Sequence, residues 1–459
     1  MINPAGWNLE NRGGEFHWEG CSLPELARTM GTPLYVVSAT ALRRATTTIR
    51  DAFQGQGLKP EIFFSYKTNP VPEVLRRLAN AGVGAEVISE AELRLAARLG
   101  LRGERIIVNG SNKPASLLRR AVEADAALIT VHSAAELRAL EKTAAELGLT
   151  ANAGLRINPG LRRRLFDFTL SSGTAASPIG FVRGSGEWEA ALSILRGSSA
   201  VRFRGLHFHI GSGIGDVSPY REAIKRTLGF CDDLLEAGLV PEILDIGGGF
   251  NISTLKEISL WEAVRLFAWN RPQKPPRAHS HAGLLKGVAS ACAAALRNYA
   301  SGRGIAVPKI YVEPGRAVSG PSQILLLGVK SVSERRRRAA AICDGGAMSL
   351  SHLLLAEYHA LFVATKAGAS EAKKYTLYGS LPTPLDLVAA QRMLPRLSPG
   401  DVIAVMDTGA YFTSLGNNFA GPRPAIVMLE NGKAALIRRR ETFDDLFARD
   451  LWPEASLEP

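Results

Sequence analysis

A lysine closing an apolar strand is costly to bury unless it has a task or a partner. Lys67 stands in such a place, in Phe63-Phe64-Ser65-Tyr66-Lys67-Thr68-Asn69-Pro70. A partly desolvated amine there can attack an aldehyde and hold it covalently. In Leu244-Asp245-Ile246-Gly247-Gly248-Gly249-Phe250, three glycines after a strand let the backbone approach a ligand and aim N–H groups at an anion. A tight turn alone would also account for them. In Gly205-Leu206-His207-Phe208-His209-Ile210-Gly211-Ser212, the period of two puts His207 and His209 on one face of a strand. No carboxylate or cysteine stands out as a third ligand, so no metal is expected. His209 reads instead as an imidazole stacked on a planar ring, His207 as a hydrogen-bonded core histidine, and Ser212 as a donor to phosphate. Finally, Tyr311-Val312-Glu313-Pro314-Gly315-Arg316 ends a strand with a carboxylate. Such a group can pair with a protonated pyridine nitrogen and keep the ring an electron sink. Arg316 then has a phosphate in reach; a Glu–Arg pair holding a turn is the plainer alternative.

These residues need a frame that brings strand ends together. Eight β-rich runs alternate with helical patterns: 62–66, 85–88, 106–108, 127–131, 154–157, 203–210, 243–246 and 310–312. Helical patterns such as 90–99, 134–147 and 220–237 lie between them. The alternation predicts an α/β fold, a (β/α)8 TIM barrel, over an open doubly wound sheet. Lys67, Asn109, Asn158, His209, Gly247–Gly249 and Glu313 each follow or close a strand, where such barrels build their sites. After about residue 318 the runs 323–329, 339–342, 402–406 and 425–429 are short and apolar, with one helical stretch at 387–394. An antiparallel β domain is expected there, taking in an N-terminal strand at 33–37. The predicted boundaries are 1–37 for the N-terminal segment, 38–318 for the barrel and 319–459 for the β domain. The Pro-rich, basic stretch 269–282 reads as an exposed loop.

With 459 residues, the chain is long enough for two or three domains. Hydrophobic residues at 46% and charged residues at 21% exclude wholesale disorder. The 55 basic side chains exceed the 43 acidic ones by 12, which raises nucleic-acid binding as a possibility. The basic runs at 162–164 and 335–338 are short, and the second reads as a solvated turn, so a nucleic-acid partner is not expected. Cys21, Cys231, Cys292 and Cys343 are widely spaced, which predicts free thiols in a reducing compartment. Neither a signal peptide nor a membrane span is legible, and a cytoplasmic protein is expected.

Six motifs run in order across residues 33–429: 65–70, 207–212, 245–250, 313–316, Cys343-Asp344-Gly345-Gly346 and Asp407-Thr408-Gly409-Ala410-Tyr411. Together they resemble the fold-type III decarboxylases that use pyridoxal 5′-phosphate (PLP), such as diaminopimelate and eukaryotic-type ornithine decarboxylases. The resemblance implies amino-acid decarboxylation with Lys67, His209 and Glu313 as catalytic residues, Lys67 carrying the cofactor as an internal aldimine. It implies a cofactor site of Lys67, Glu86, His209, Ser212, Gly247, Gly248, Gly249, Glu313, Arg316 and Tyr411, with Glu86 in the place of a family aspartate. Asp344, Thr383 and Tyr411 would face the substrate, and a head-to-tail homodimer would share its active sites. The chain departs from the family in one loop. Where the family carries Gly-Pro-x-Cys-(Glu/Asp)-Ser-x-Asp, it has Gly379-Ser380-Leu381-Pro382-Thr383-Pro384-Leu385-Asp386. Pro382 replaces the cysteine near Cα and Thr383 the acid that holds a distal amine. The diaminopimelate enzymes' Arg-Pro pair is also absent, with His352 and Leu353 near its place, and the Lys/Arg-Phe-Gly before barrel strand six reads Pro178-Ile179-Gly180. A non-standard substrate is therefore expected. Decarboxylative transamination, racemisation and non-catalytic PLP binding remain as alternatives; Glu313, where alanine racemases set an arginine, argues against racemisation.

Overall fold

The computed structural model describes residues 3–162, 173–269, 274–276, 280–335, 338–370 and 373–451. Contacts divide the chain into two compact units: residues 41–255 with 276–321, and residues 1–40 with 256–275 and 322–459. The segment 256–275 therefore groups with the β-rich unit, although it lies between two barrel strands in sequence.

The first unit is a closed eight-stranded barrel. Its strands are β2 (Pro60–Ser65), β3 (Gly84–Val87), β4 (Ile106–Val108), β5 (Leu128–Val131), β6 (Ala151–Arg156), β7 (Val201–His207), β8 (Ile243–Asp245) and β9 (Lys309–Val312). Every neighbouring pair is parallel, and β9 closes onto β2. Closure excludes the open sheet. Helix α1 (Ala39–Gln54) precedes β2, and α2 (Pro72–Asn80), α3 (Glu90–Arg98), α4 (Ala115–Glu123), α5 (Ala134–Leu147), α6 (Gly186–Gly197), α7 (Ser218–Glu236) and α8 (His281–Arg303) link successive strands. The strands are apolar on both faces, as parallel strands covered by helices must be; β4 and β5 are buried throughout. Helix starts are set by side-chain caps: Ser89 accepts the Glu92 N–H at 3.2 Å and Ser133 the Glu136 N–H at 3.2 Å. Caps at these places fix where each strand-to-helix loop ends, and so where the strand-end side chains sit.

The second unit is built on a nine-stranded mixed sheet. Its strands are β1 (Leu34–Ser38), β10 (Gln323–Arg335), β11 (Arg338–Cys343), β12 (Leu361–Val363), β13 (Lys373–Tyr378), β14 (Leu387–Leu394), β15 (Val402–Val405), β16 (Ala425–Glu430) and β17 (Lys433–Arg438). The predicted N-terminal strand is present as β1, antiparallel to β10 and parallel to β16. The sheet is antiparallel apart from the pairs β1–β16 and β11–β13.

One expectation fails: 387–394 is a strand, not a helix. Leu-Val-Ala-Ala-Gln-Arg-Met-Leu is rich in helix formers, but pairing with β13 and burial of Leu387 and Ala390 against Leu266 override that preference. The basic stretch 269–282 is bounded by helices, since Trp269 ends one and His281 begins α8; residues 270–273 and 277–279 lie outside the described residues, as do residues 163, 164, 336 and 337 of the two arginine runs. All four cysteines are free. Among the described residues, no helix is long and apolar enough to cross a membrane.

Candidate active site

Lys67 sits in a single 3-10 turn (Tyr66–Thr68) that continues β2 at its C-terminal end. Its amine bonds both carboxylate oxygens of Glu86, at 2.8 and 3.1 Å. Glu86 lies on β3, opposite Ser65 in register, and the Ser65 hydroxyl donates to it as well. The Lys67 side chain is 40% exposed and that of Glu86 only 1%, so the amine stands at the mouth with its counter-charge beneath it.

Asn109, just past β4, is buried and donates to Glu86 at 3.2 Å and to Glu313. Lys67, Glu86, Asn109 and Glu313 thus form one hydrogen-bonded chain across the barrel mouth. Two side chains, Glu86 and Asn109, lie between the amine and the second carboxylate.

Glu313 follows β9, with His207 of β7 and Asp245 of β8 beside it. Atoms of the three lie within 4.8 Å of one another, and His207 Nε2 is 3.5 Å from Glu313. One expectation is corrected here: carboxylates do reach His207, because neighbouring parallel strands bring their last residues side by side. His207 itself is buried, and its Nε2 faces the Glu313 carboxylate. Burial opposes charge on Glu313, but His207, Asp245 and Lys67 outweigh it and hold this carboxyl well below the usual carboxylate range. Burial and the Glu313 charge push Asp245 well above that range. The two are thus pushed apart, Glu313 toward the charged form and Asp245 toward the protonated one.

His209 lies two residues beyond His207. Burial, then the nearby Arg156, pulls its pKa down to about 3, so the ring is neutral and suits stacking. The Gly248 N–H points to its Nδ1 at 3.4 Å. The glycine run has a structural duty in addition to the one expected. A Cβ on Gly248 would lie 2.2 Å from the Glu313 carbonyl oxygen, and one on Gly249 2.2 Å from that of Gly211. Gly247 N–H is committed to Asp245 at 2.9 Å. The barrel-end loops pack backbone on backbone, and only glycine fits. Ser212 lies in the half-buried turn after β7, and Arg316 opens a short helix (Arg316–Ser319), largely buried.

Arg156, the last residue of β6, was not singled out by the sequence. It is partly buried, and burial lowers its pKa while Glu313, Glu86 and Asp245 raise it. Thr130 on β5, which donates to Asn109 at 2.5 Å, was missed as well. Both were accessible to the strand-end rule, since each stands in the last three residues of a predicted strand run.

Asp344, Thr383 and Tyr411 belong to the β-rich unit. Asp344 accepts from Gly328 N–H at 2.9 Å and from Thr32, and pairs with Lys330 at 3.1 Å, so both oxygens are engaged by the sheet's own groups. The Thr383 hydroxyl accepts from Leu385 N–H at 3.3 Å. The loop carrying Pro382 is tied down by buried Asp386, which accepts N–H groups of Leu381, Met348 and Ser349 at 3.0, 2.9 and 3.2 Å. Tyr411 is half-buried with φ +68°, in the turn after β15.

The barrel residues fit PLP by the chemistry of the donor set. Lys67 offers the amine for an aldehyde, Glu313 an ionised acceptor for a ring N–H, His209 a neutral plane, and Arg316 and Ser212 phosphate ligands.

The family model for the pyridoxal-dependent decarboxylases, pyridoxal binding domain, matches residues 39–320. A diaminopimelate decarboxylase of Aquifex aeolicus is 32% identical over 445 residues, covering 95% of this chain and 96% of that one. One from Bacillus subtilis is 29% identical, covering 97% of each. Among solved structures, the diaminopimelate decarboxylase of M. jannaschii superposes with a TM-score of 0.85 at 29% identity, over 97% of this chain and 98% of that one. A barrel of this topology, a lysine and a carboxylate at its mouth, and similarity along nearly the whole chain lead to one conclusion: the chain belongs to the pyridoxal-dependent decarboxylases.

Proposed function

We propose that the protein removes the α-carboxylate of an amino acid as CO2, with PLP held on Lys67. The observation that carries this is the hydrogen-bonded chain from the Lys67 amine to the Glu313 carboxylate across one barrel mouth. PLP, when bound, supplies the electron sink that accepts the pair left at Cα. Lys67 provides the amine that anchors the cofactor, and Glu86 holds that amine in place. Glu313 keeps a proton on the ring nitrogen, which sustains the sink. His209 covers the ring with a neutral plane. Arg316, Ser212 and the glycine loop bind the phosphate. Exclusion of water follows from the buried floor of His207, Asp245 and Glu313.

Diaminopimelate, for which the relatives are named, is the first substrate to test. Pro382 and Thr383, and the absence of an Arg-Pro pair after Asp344-Gly345-Gly346, support a substrate with a different distal end. We also propose a homodimer as the working assembly, which sedimentation of the purified protein checks directly.

The test begins with an absorbance spectrum of purified protein supplied with PLP, followed by borohydride reduction and peptide mapping. The cofactor should be fixed to Lys67, and Lys67→Ala should lose that adduct. An amino-acid panel scored for CO2 and for product by mass spectrometry should give amine and CO2. A ketone or a racemised amino acid as the sole product would defeat decarboxylation in favour of the other Cα reactions.

A further inference from the structure

Asn109 occupies a position that neither carboxylate could hold alone. Its side-chain amide donates one hydrogen to Glu86 and the other to Glu313, and its carbonyl accepts the Thr130 hydroxyl at 2.5 Å. A flipped amide would turn its carbonyl oxygen toward carboxylates that only accept, and would trade the short Thr130 bond for the longer one that this hydroxyl can make to the Val108 carbonyl at 3.4 Å. The backbone is fixed too, with Asn109 N–H on the Val87 carbonyl at 2.8 Å. The residue is 4% exposed, so water does not compete for these bonds. Beyond Asn109, the loop is clipped down by Lys113, which bonds the Gly110 carbonyl at 2.7 Å and Glu136 of α5 at 3.0 Å.

Without a shared donor, Glu86 and Glu313 would have only repulsion between them at a buried site, where like charges are poorly screened. Among side chains neutral at neutral pH, only an amide NH2 carries two donor hydrogens on one atom and so can satisfy both at once. We infer that Asn109 is a positioning residue that couples the carboxylate holding Lys67 to the carboxylate facing the ring nitrogen, so that both ends of the cofactor are held in one register. This rests on the reading of Lys67 and Glu313 given above. The charged and titratable groups around this bridge are Lys67 after β2, Glu86 on β3, Glu92 on α3, Arg156 on β6, His207 on β7, His209 beyond it, Asp245 on β8 and Glu313 after β9.

The test uses the full chain and two near-isosteric variants, Asn109→Leu and Asn109→Asp, with PLP affinity and the pH midpoint of the lysine-bound cofactor's absorbance as readouts. Leucine offers no donor. Aspartic acid offers one hydrogen, only when protonated and to only one carboxylate. Loss of the bridge should raise the Kd for PLP about tenfold or more in Asn109→Leu and shift the absorbance midpoint by about one pH unit, the two being equivalent in free energy. Asn109→Asp should bind PLP progressively more weakly as pH rises, over a range where the wild type is flat. A residue that only filled space would leave Asn109→Leu like the wild type in both readouts, and that result overturns the inference. Thr130→Val, which keeps the amide but frees its orientation, should move both readouts in the same direction by a smaller amount. If neither Asn109 variant folds, Thr130→Val decides alone, and wild-type values in it overturn the inference. A wild type that fails to form the Lys67 adduct would instead defeat the underlying reading, so the two failures are distinct.

Discussion

Glu313 is held ionised where burial alone would neutralise it, and Asp245 beside it takes the opposite fate. The sign of each follows from its neighbours. A carboxyl with a depressed pKa adds stability above its unfolded value, near 4 for a carboxyl, and loses it as pH falls through the folded value. One with a raised pKa costs stability above its unfolded value, and the full cost is felt above the folded one. Asp245→Asn mimics the protonated acid and keeps the oxygen that accepts Gly247 N–H. Its melting temperature at pH 8 should therefore equal or exceed that of the wild type; a clear fall would show that Asp245 is charged. Glu313→Gln removes the negative charge that holds a proton on the ring while leaving Lys67 and the phosphate ligands intact. Its turnover should drop on the order of 10²-fold, the usual scale for deleting one preorganised electrostatic partner, with PLP still retained. Near-wild-type turnover would remove Glu313 from the chemistry. Lys67, His209 and Glu313 stand out in the sequence because motif and strand end coincide, whereas Glu86 enters only through the family resemblance. Arg156 and Thr130 stand at strand ends too, but in no motif, and only the fold reveals what they face.

At the scale of elements, the eight barrel strands are legible because a parallel strand covered on both sides reads as a short, largely apolar run bounded by turns. That signal fails at 387–394, where composition favours a helix and a cross-strand partner decides otherwise. No pattern in the chain marks Gly205 either, yet its place in β7 demands the absence of a side chain. A Cβ there would lie 2.0 Å from the Ile243 carbonyl oxygen on the adjacent strand. The register between β6 and β7 also shifts between Phe203 and Gly205, so the ladder has already bent at this point. Gly205→Ala must part β7 from β8, the two strands that carry His207 and Asp245. The cost should be about 1–3 kcal/mol, as for other overpacked interiors. Gly197, at the end of α6, is the contrast: nothing lies within 4 Å of a Cβ built there, and alanine is the better helix former. Gly197→Ala should match or exceed the wild type in a urea melt, and Gly205→Ala should unfold at lower denaturant. Equal midpoints for the two would mean that the barrel yields at β7 more easily than its backbone spacing allows.

At the scale of the whole molecule, the chain builds its β-rich unit from three separated pieces, residues 1–40, 256–275 and 322–459. The first piece is legible as a strand because Leu34-Tyr35-Val36-Val37 is an unbroken apolar run. The second is not, since nothing local in 256–275 tells which unit its helix will pack on, and its partner Leu387 is more than a hundred residues away. The first piece also holds the sheet together. β1 lies between β10 and β16, pairing with both, and Leu34, Tyr35, Val36 and Val37 are each at most 4% exposed. Fully burying four such side chains contributes about 6–12 kcal/mol in area terms, comparable with the whole net stability of a domain, about 5–15 kcal/mol. Removing β1 would also leave the facing backbone groups of β10 and β16 without partners, which adds to the loss. A chain that begins at residue 39 should therefore fail to form this sheet. Hydrogen exchange should show protection lost across 323–326 and 425–429, the segments that β1 joins. Protection retained there would mean that β10 and β16 close directly on each other, and that β1 covers a sheet able to stand without it.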